Sequence, residues 1–439
     1  MPEYKHSVSL DVEKCMGCTT CLKRCPTEAI RIRDAHAKIN SVRCIDCGEC
    51  IKVCPHKAKR AVHDTLADMR EYEINVALPA PALYGQFENL ESVDYVVDGL
   101  YKLGFDYVYE VACAAEIVSA YTRMYLGRQD IKRPVISSAC PAIVRMINMN
   151  FPYLKDHIMP ILPPVEVAAK LARDIVTERH PDVDPSKIGI FFISPCPAKV
   201  SYVKNGFAGC KNNIDRVISV RDVYFRLIDV MKRDDNPTES AKSGMIGIGW
   251  ASTGGESSAV FNDRYLAADG IENCVRVLEQ IENEGFADLE FIELNACSGG
   301  CVGGAMTVTN AYIAQARLNT LKRYLPVSPN RPDATEIPDW IFTDGSVVYD
   351  TTKPLSDDRA TAMRMMSDIE RITKTLPGID CGSCGAPTCM AFAEDIVKNE
   401  TNADECTIIM RELFHEQLDL RKLASDRISG EAGKRNDEN

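Results

Sequence analysis

Leu289-Glu290-Phe291-Ile292-Glu293-Leu294-Asn295-Ala296-Cys297-Ser298-Gly299-Gly300-Cys301-Val302-Gly303-Gly304 is the stretch on which the reading of this chain turns. It opens as an apolar strand and runs directly into a loop with two cysteines and two glycine pairs. Glycines after a cysteine let backbone approach a bulky group closely. The strand-like IGIFFIS of 188–194 likewise runs into Pro195-Cys196-Pro197-Ala198-Lys199, and a third loop reads Ser137-Ser138-Ala139-Cys140-Pro141. Four cysteines on three distant loops could ligate one metal cluster. Working outward, INVALPAPAL, YVYEVAC and SGMIGIGWAS read as further strands, with helical stretches such as ESVDYVVDGLYKLGF between them. Strand–helix alternation predicts α/β architecture, with sites at the strand carboxyl ends.

The amino-terminal segment carries a repeat with a period of 29 residues: Cys15-x2-Cys18-x2-Cys21-x3-Cys25-Pro26, then Cys44-x2-Cys47-x2-Cys50-x3-Cys54-Pro55. This is the cysteine run of bacterial ferredoxins, whose fourth cysteine ligates the other cluster. It predicts one [4Fe–4S] cluster on Cys15, Cys18, Cys21 and Cys54, and a second on Cys44, Cys47, Cys50 and Cys25. Zinc sites are usually built from paired C-x2-C units instead. A domain this small has little core, so the clusters must hold it together. Near the other end, Cys381-x2-Cys384-x4-Cys389-x16-Cys406 predicts another [4Fe–4S] cluster, with zinc as the alternative. A Pro-, Asp- and Thr-rich boundary over 325–360 and a helical stretch precede it, and AFAEDIVKNE reads as a short helix returning Cys406 to the site. Ile409, Leu413, Leu418 and Leu423 continue at helical spacing.

The chain has 439 residues, 19 cysteines and net charge −12. The acidic balance and the lack of a basic run argue against nucleic-acid binding. No run of ~18 apolar residues predicts a membrane span, and the first residues have no signal-peptide character. A cytoplasmic protein is expected, with thiols as metal ligands rather than disulfides. Cys113, Cys210 and Cys274 stand apart and read as buried small apolar residues.

Over roughly residues 1–320 these motifs resemble the [FeFe]-hydrogenase family, whose signatures are TSCCPxW, MPCxxKxxE and ExMxCxxGCxxG. The matches are SSACPAI at 137–143, SPCPAKVSY at 194–202 and ELNACSGGCVGG at 293–304, in the family's order. The carboxy-terminal motif resembles the small Fe4 domain of Rnf-complex B subunits and corrinoid iron–sulfur proteins. The resemblance implies an α/β H-cluster domain with mixed sheets over 70–345. Flanking it would be an α+β 2[4Fe–4S] ferredoxin domain over 1–65 and a small, mainly helical [4Fe–4S] domain over 360–425, with a polar tail over 426–439. It implies that Cys140, Cys196, Cys297 and Cys301 hold the cubane of an H-cluster. Cys301 would bridge to a diiron subcluster bearing CO, cyanide and a dithiolate, and Lys199 would donate to one cyanide. Ala80, Pro81, Ala82, Ser138, Ser194, Pro195, Asn295, Thr253, Gly254 and Gly255 would surround the group.

The departures from the family pattern bear on rate. Ala139 stands where the prototypical enzymes carry a proton-relaying cysteine. Tyr202 replaces the acidic residue ending the second signature, and Tyr121-Thr122 replaces a Glu-Glu pair. Ser194 and Asn295 replace methionines. A hydrogenase (2H⁺ + 2e⁻ ⇌ H₂) of low turnover acting as an H₂ or redox sensor is the expected function, as in the family's sensory branch. The alternatives are an ordinary catalytic hydrogenase whose proton path is rerouted through Glu116, Glu166 or Glu256, and a non-catalytic Narf-like iron–sulfur protein without the diiron unit. Expected partners are H₂ and protons, a redox partner such as ferredoxin, a signalling partner on another polypeptide and a second copy of the chain. Cofactor assembly would require anaerobic conditions.

Overall fold

The computed structural model describes residues 6–205, 213–232, 237–283, 285–286, 288–343, 355–419 and 421. Cys210, Leu423 and the tail at 426–439 lie outside the described residues. The chain divides into two compact units, one of residues 1–11 with 41–352 and the other of 12–40 with 353–439. The segment 1–65 is thus shared between the two.

The larger unit is built on two parallel sheets. The first has the strand order Tyr107–Val108, Ile74–Pro79, Ile188–Ser194, Arg216–Ser219. All residues of Ile74–Pro79 and Ile188–Ser194 are buried, which is why both read as mainly apolar runs, with Asn75 the polar exception inside the first: parallel strands are covered on both faces. The second sheet has the order Tyr265–Asp269, Phe291–Asn295, Val135–Ile136. Every named strand pair in both sheets is parallel. The expected mixed sheets are corrected on this point. Helices connect the successive strands and return the chain in the same direction. Among them, Val111–Leu126 packs on Pro164–Arg179, and Asp94–Lys102 on Val220–Met231. The SGMIGIGWAS segment is also corrected, since Met245–Gly249 is helical. Its alternating isoleucines mimic a strand, but a side chain at Gly247 would lie 2.1 Å from the Ala112 carbonyl oxygen. The small residue lets this helix sit directly on its neighbour.

Parallel pairing brings strand carboxyl ends to one side of each sheet. Ala80-Pro81-Ala82 follow Ile74–Pro79, and Pro195-Cys196 follow Ile188–Ser194. Ser137 to Cys140 follow Val135–Ile136, and Ala296-Cys297 follow Phe291–Asn295. Cys140 is the N-cap of helix Pro141–Asn150, and Cys196 directly precedes helix Pro197–Asn205. Proline fits the first helical position because it has no N–H to leave unpaired. A Cys-Pro step therefore places a thiol at a helix amino terminus, where negative charge is favoured. In the same unit Val8–Leu10 pairs antiparallel with Lys59–Ala61.

The smaller unit contains the hairpin Ile30–Arg33 with His36–Ile39. Its helices are Arg359–Thr375 and Cys389–Val397, followed by helical residues 407–419. Ile369, Ala391, Phe392 and Ala393 form its core. Helix Cys389–Val397 starts on Cys389, capped by the Thr388 hydroxyl accepting from the Ala391 N–H at 3.1 Å. No helix among the described residues is long and apolar enough to cross a membrane.

Candidate metal and catalytic centre

A cavity of about 110 Å³ lies in the larger unit, bounded by the carboxyl ends of strands from both sheets. Cys140, Cys196, Cys297, Cys301 and Lys199 all line it. Ala80, Pro81, Ala82, Ala139, Pro195 and Asn295 contribute further wall. Trp250 and Ala251 also line it, and nothing in the motifs pointed to them. Cys301 is accessible yet deep in the fold, because its surface faces the cavity.

Burial, and then the neighbouring thiolates of Cys297, Cys140 and Cys301, hold the Cys196 thiol well above the ordinary thiol range. Burial and the charges of Cys140 and Cys297 push Cys301 up to about 12, with Lys199 opposing. Four thiols this close in an apolar pocket resist losing their protons separately. A cationic iron core would relieve that repulsion, and soft thiolates suit an iron–sulfur group. The residues therefore fit the group that the motifs imply.

Lys199 lies one helical turn beyond Cys196, with its ammonium 4.8 Å from the centre of the Tyr202 ring. Burial lowers its pKa, while Cys196 and Glu166 act in the opposite direction. Burial raises the pKa of Glu166, and the charge of Lys199 opposes it. The counter-charge of Lys199 thus comes from helix Pro164–Arg179, not from position 202.

Behind the Cys140 and Cys301 loops lies a buried carboxylate pair. Glu256 accepts from the Ser137 hydroxyl at 2.6 Å, and that hydroxyl accepts from the Ala139 N–H at 3.1 Å. Glu293 accepts from the N–H groups of Gly254 (3.0 Å) and Ser257 (2.8 Å) and from the Asn295 amide (2.7 Å). Burial raises both pKa values, and the charge of Glu293 raises Glu256 further. The Thr253-Gly254-Gly255 loop serves this pair and does not line the cavity. Thr253 N–H donates to the Gly299 carbonyl at 3.3 Å, and a side chain at Gly300 (φ +85°) would lie 2.6 Å from Thr253 N. Ser138 and Ser194 also turn away. Ser138 donates to the Ile161 carbonyl at 2.7 Å, and the Ser194 hydroxyl accepts from Cys196 N–H at 3.2 Å. Glu116 is held by Gly244 N–H and by Asn330 N–H at 2.9 Å, away from the cavity wall.

The second half of the cysteine repeat reaches the same place. Cys47 lines the cavity, and Arg145, itself buried, donates to the Cys44 carbonyl at 2.9 Å. Lys52, paired with Glu49 at 3.0 Å, hydrogen-bonds Cys297. Within each half of the repeat the last cysteine accepts a backbone N–H four residues on: Ala29 to Cys25 at 3.2 Å and Ala58 to Cys54 at 3.3 Å. In the smaller unit Cys381, Cys384, Cys389 and Cys406 line one pocket with Phe392 and Leu376. The Ser383 N–H pulls the Cys381 thiol below its ordinary range. The isolated cysteines Cys113 and Cys274 are buried in the larger unit.

Fold and cysteine sets together define an iron–sulfur protein. The model for the iron-only hydrogenase large subunit, C-terminal domain, matches residues 73–268 and 256–305, more than half of the chain. The chain belongs to the [FeFe]-hydrogenase family. A 4Fe-4S dicluster domain matches 7–55, and a model described as "Putative Fe-S cluster" matches 376–408. The periplasmic [Fe] hydrogenase large subunit of Nitratidesulfovibrio vulgaris is 26% identical over 392 residues, covering 74% of this chain and 91% of that one. The [FeFe]-hydrogenase HydA(deltaEFG) is similar with a TM-score of 0.45 and 17% identity, over 61% of this chain and 91% of that one. A variant of HydA1 from Chlamydomonas reinhardtii gives the same values.

Proposed function

We propose that this chain is an [FeFe]-hydrogenase-type oxidoreductase of low turnover, interconverting H₂ with two protons and two electrons and acting as an H₂ or redox sensor. Ala139 carries the reading. It lines the cavity beside Cys140, where a proton-transferring side chain is needed, and its methyl group has no proton to give. Cys140, Cys196, Cys297 and Cys301 would hold the H-cluster cubane, with Cys301 also bridging to the diiron subcluster. When bound, the group supplies the iron centre at which protons and electrons combine. Lys199 offers a buried ammonium to an anionic cyanide, and Glu166 offsets the burial that disfavours its charge. Ala80, Pro81 and Ala82 close the apolar wall and keep water out. The eight-cysteine repeat would carry two [4Fe–4S] clusters in the crossed pairing, which rests on the sequence pattern alone, and Cys381, Cys384, Cys389 and Cys406 a further one. Their work is electron exchange with a redox partner such as ferredoxin in the cytoplasm. A sensory output would require a signalling partner.

A second reading, efficient catalysis over a rerouted proton path, is favoured by the Ser137–Glu256 hydrogen bond next to Ala139. Ala139→Cys separates the two. If the missing relay limits turnover, H₂ evolution by fully matured protein should rise about 10²–10⁴-fold. Unchanged turnover rejects the first reading in favour of the second. The absence of CO and cyanide infrared bands after maturation would instead favour the Narf-like alternative.

A further inference from the structure

In the smaller unit the carboxy-terminal cysteine loop and the first loop of the repeat touch. Gly382 lies between Cys381 and Cys384, and Leu22 and Lys23 lie between Cys21 and Cys25. Gly382 has φ +78°, and a side chain there would lie 2.7 Å from Lys23 Cε and 3.2 Å from Leu22 Cδ2. Lys23 Nζ donates to the carbonyl of Asp380, the residue before Cys381, and to that of Pro387 at 3.1 Å. Gly385 (φ +79°) lies against the hairpin strand, where Ile32 N–H donates to its carbonyl at 2.8 Å. A side chain at Gly385 would lie 2.1 Å from the Ile32 oxygen. Asp395, 3% exposed, sits on the helix that begins at Cys389. It binds Arg31 at 2.7 Å and Arg33 at 2.5 Å. The Lys23 hydrogen bonds, the close backbone approach that Gly385 allows at Ile32, and the Asp395–Arg31–Arg33 ion cluster hold the two cysteine loops in contact.

We infer that the cluster held by Cys381, Cys384, Cys389 and Cys406 is a direct electron-transfer neighbour of the cluster held by Cys15, Cys18 and Cys21. Cys381 and Cys21 each adjoin one member of the touching pair Gly382 and Leu22, so only that contact separates the two ligand loops. The step is the transfer of one electron between two [4Fe–4S] clusters, one reduced as the other is oxidised, with no other reactant. Cys381 is exposed, which makes the carboxy-terminal cluster the accessible member of the pair. The inference rests on reading both cysteine sets as [4Fe–4S] sites and does not depend on the diiron group.

The test is electron paramagnetic resonance on full-length protein reconstituted anaerobically with iron and sulfide and fully reduced with dithionite. The expected spectrum shows the carboxy-terminal cluster split and fast-relaxing through coupling to its neighbour. That coupling should vanish in Cys15→Ala/Cys18→Ala, leaving an isolated carboxy-terminal signal. Gly385→Val retains every ligand, drives a side chain into the Ile32 backbone and should weaken the coupling by forcing the loops apart. A magnetically isolated carboxy-terminal signal in the wild-type protein, with iron for all clusters present, overturns the neighbour relation. An iron count short by the carboxy-terminal cluster overturns the cluster reading itself.

Discussion

Asp395→Ala removes the one carboxylate that faces both Arg31 and Arg33. The side chain of Asp395 is 4% exposed, and those of the arginines are 15% and 17% exposed. Breaking a buried pair by deleting one partner costs ~3–5 kcal/mol because the other charge is left uncompensated. Here the guanidiniums retain some contact with water, so the lower end applies, about 3 kcal/mol. Asp395→Asn keeps an acceptor oxygen and should cost about half as much. The exposed pair Arg371–Asp368, 72% and 51% exposed, is the control. Asp368→Ala should cost ~0–0.5 kcal/mol. Hydrogen exchange on the reconstituted protein reads this locally. Amides of helix Cys389–Val397 should exchange about two orders of magnitude faster in Asp395→Ala. Exchange within about threefold of that in Asp368→Ala would refute the argument, since the buried pair would then be worth no more than a surface one.

Three further outcomes follow from the larger unit. Burial and the neighbouring Glu293 raise Glu256, so the folded chain keeps a proton that the unfolded chain releases in the ordinary Glu range. That contribution to stability is complete below the ordinary Glu range and is lost as pH rises through the higher folded value, with a slope of up to about 1.4 kcal/mol per pH unit. Glu256→Gln should flatten the stability–pH curve above pH ~4.5, and parallel curves for the two proteins would contradict the assignment. Lys52→Met removes a cationic donor from the Cys297 sulfur. It should lower the potential of a cubane held there, on the order of tens of millivolts, in an EPR redox titration of reconstituted protein. Lys199→Met strands the buried Glu166 and should destabilise by ~3–5 kcal/mol, while adding Glu166→Gln should restore much of this in chemical denaturation. Failure of the second substitution to rescue the first would break the proposed pair.

The thiols were the most legible part of the site, because a metal cluster imposes close cysteine spacing and because Cys-Pro places a thiol at a helix start. Strands Ile74–Pro79 and Ile188–Ser194 were equally plain, since burial on both faces favours mainly apolar runs. Partners set by long-range packing were not legible. Glu166 read as a candidate proton-route carboxylate, yet it lies beside Lys199, and only the packing of helix Pro164–Arg179 reveals this. Lys52 reaches Cys297 across 245 positions of sequence, which leaves no local pattern. Thr253-Gly254-Gly255 was read as cavity wall, but its Gly254 N–H is turned to Glu293 and its Thr253 N–H to the Gly299 carbonyl. The division of the repeat between two compact units was equally hidden. The repeat shows that two loops are alike, not what each packs against.

The account stands on four cysteine sulfurs and the Lys199 amine lining one apolar cavity. Infrared spectroscopy of the full-length protein, matured anaerobically with a synthetic diiron precursor, tests this most directly. The predicted result is a set of CO and cyanide bands that shifts in Lys199→Met. Iron for every [4Fe–4S] cluster with no such bands would contradict it.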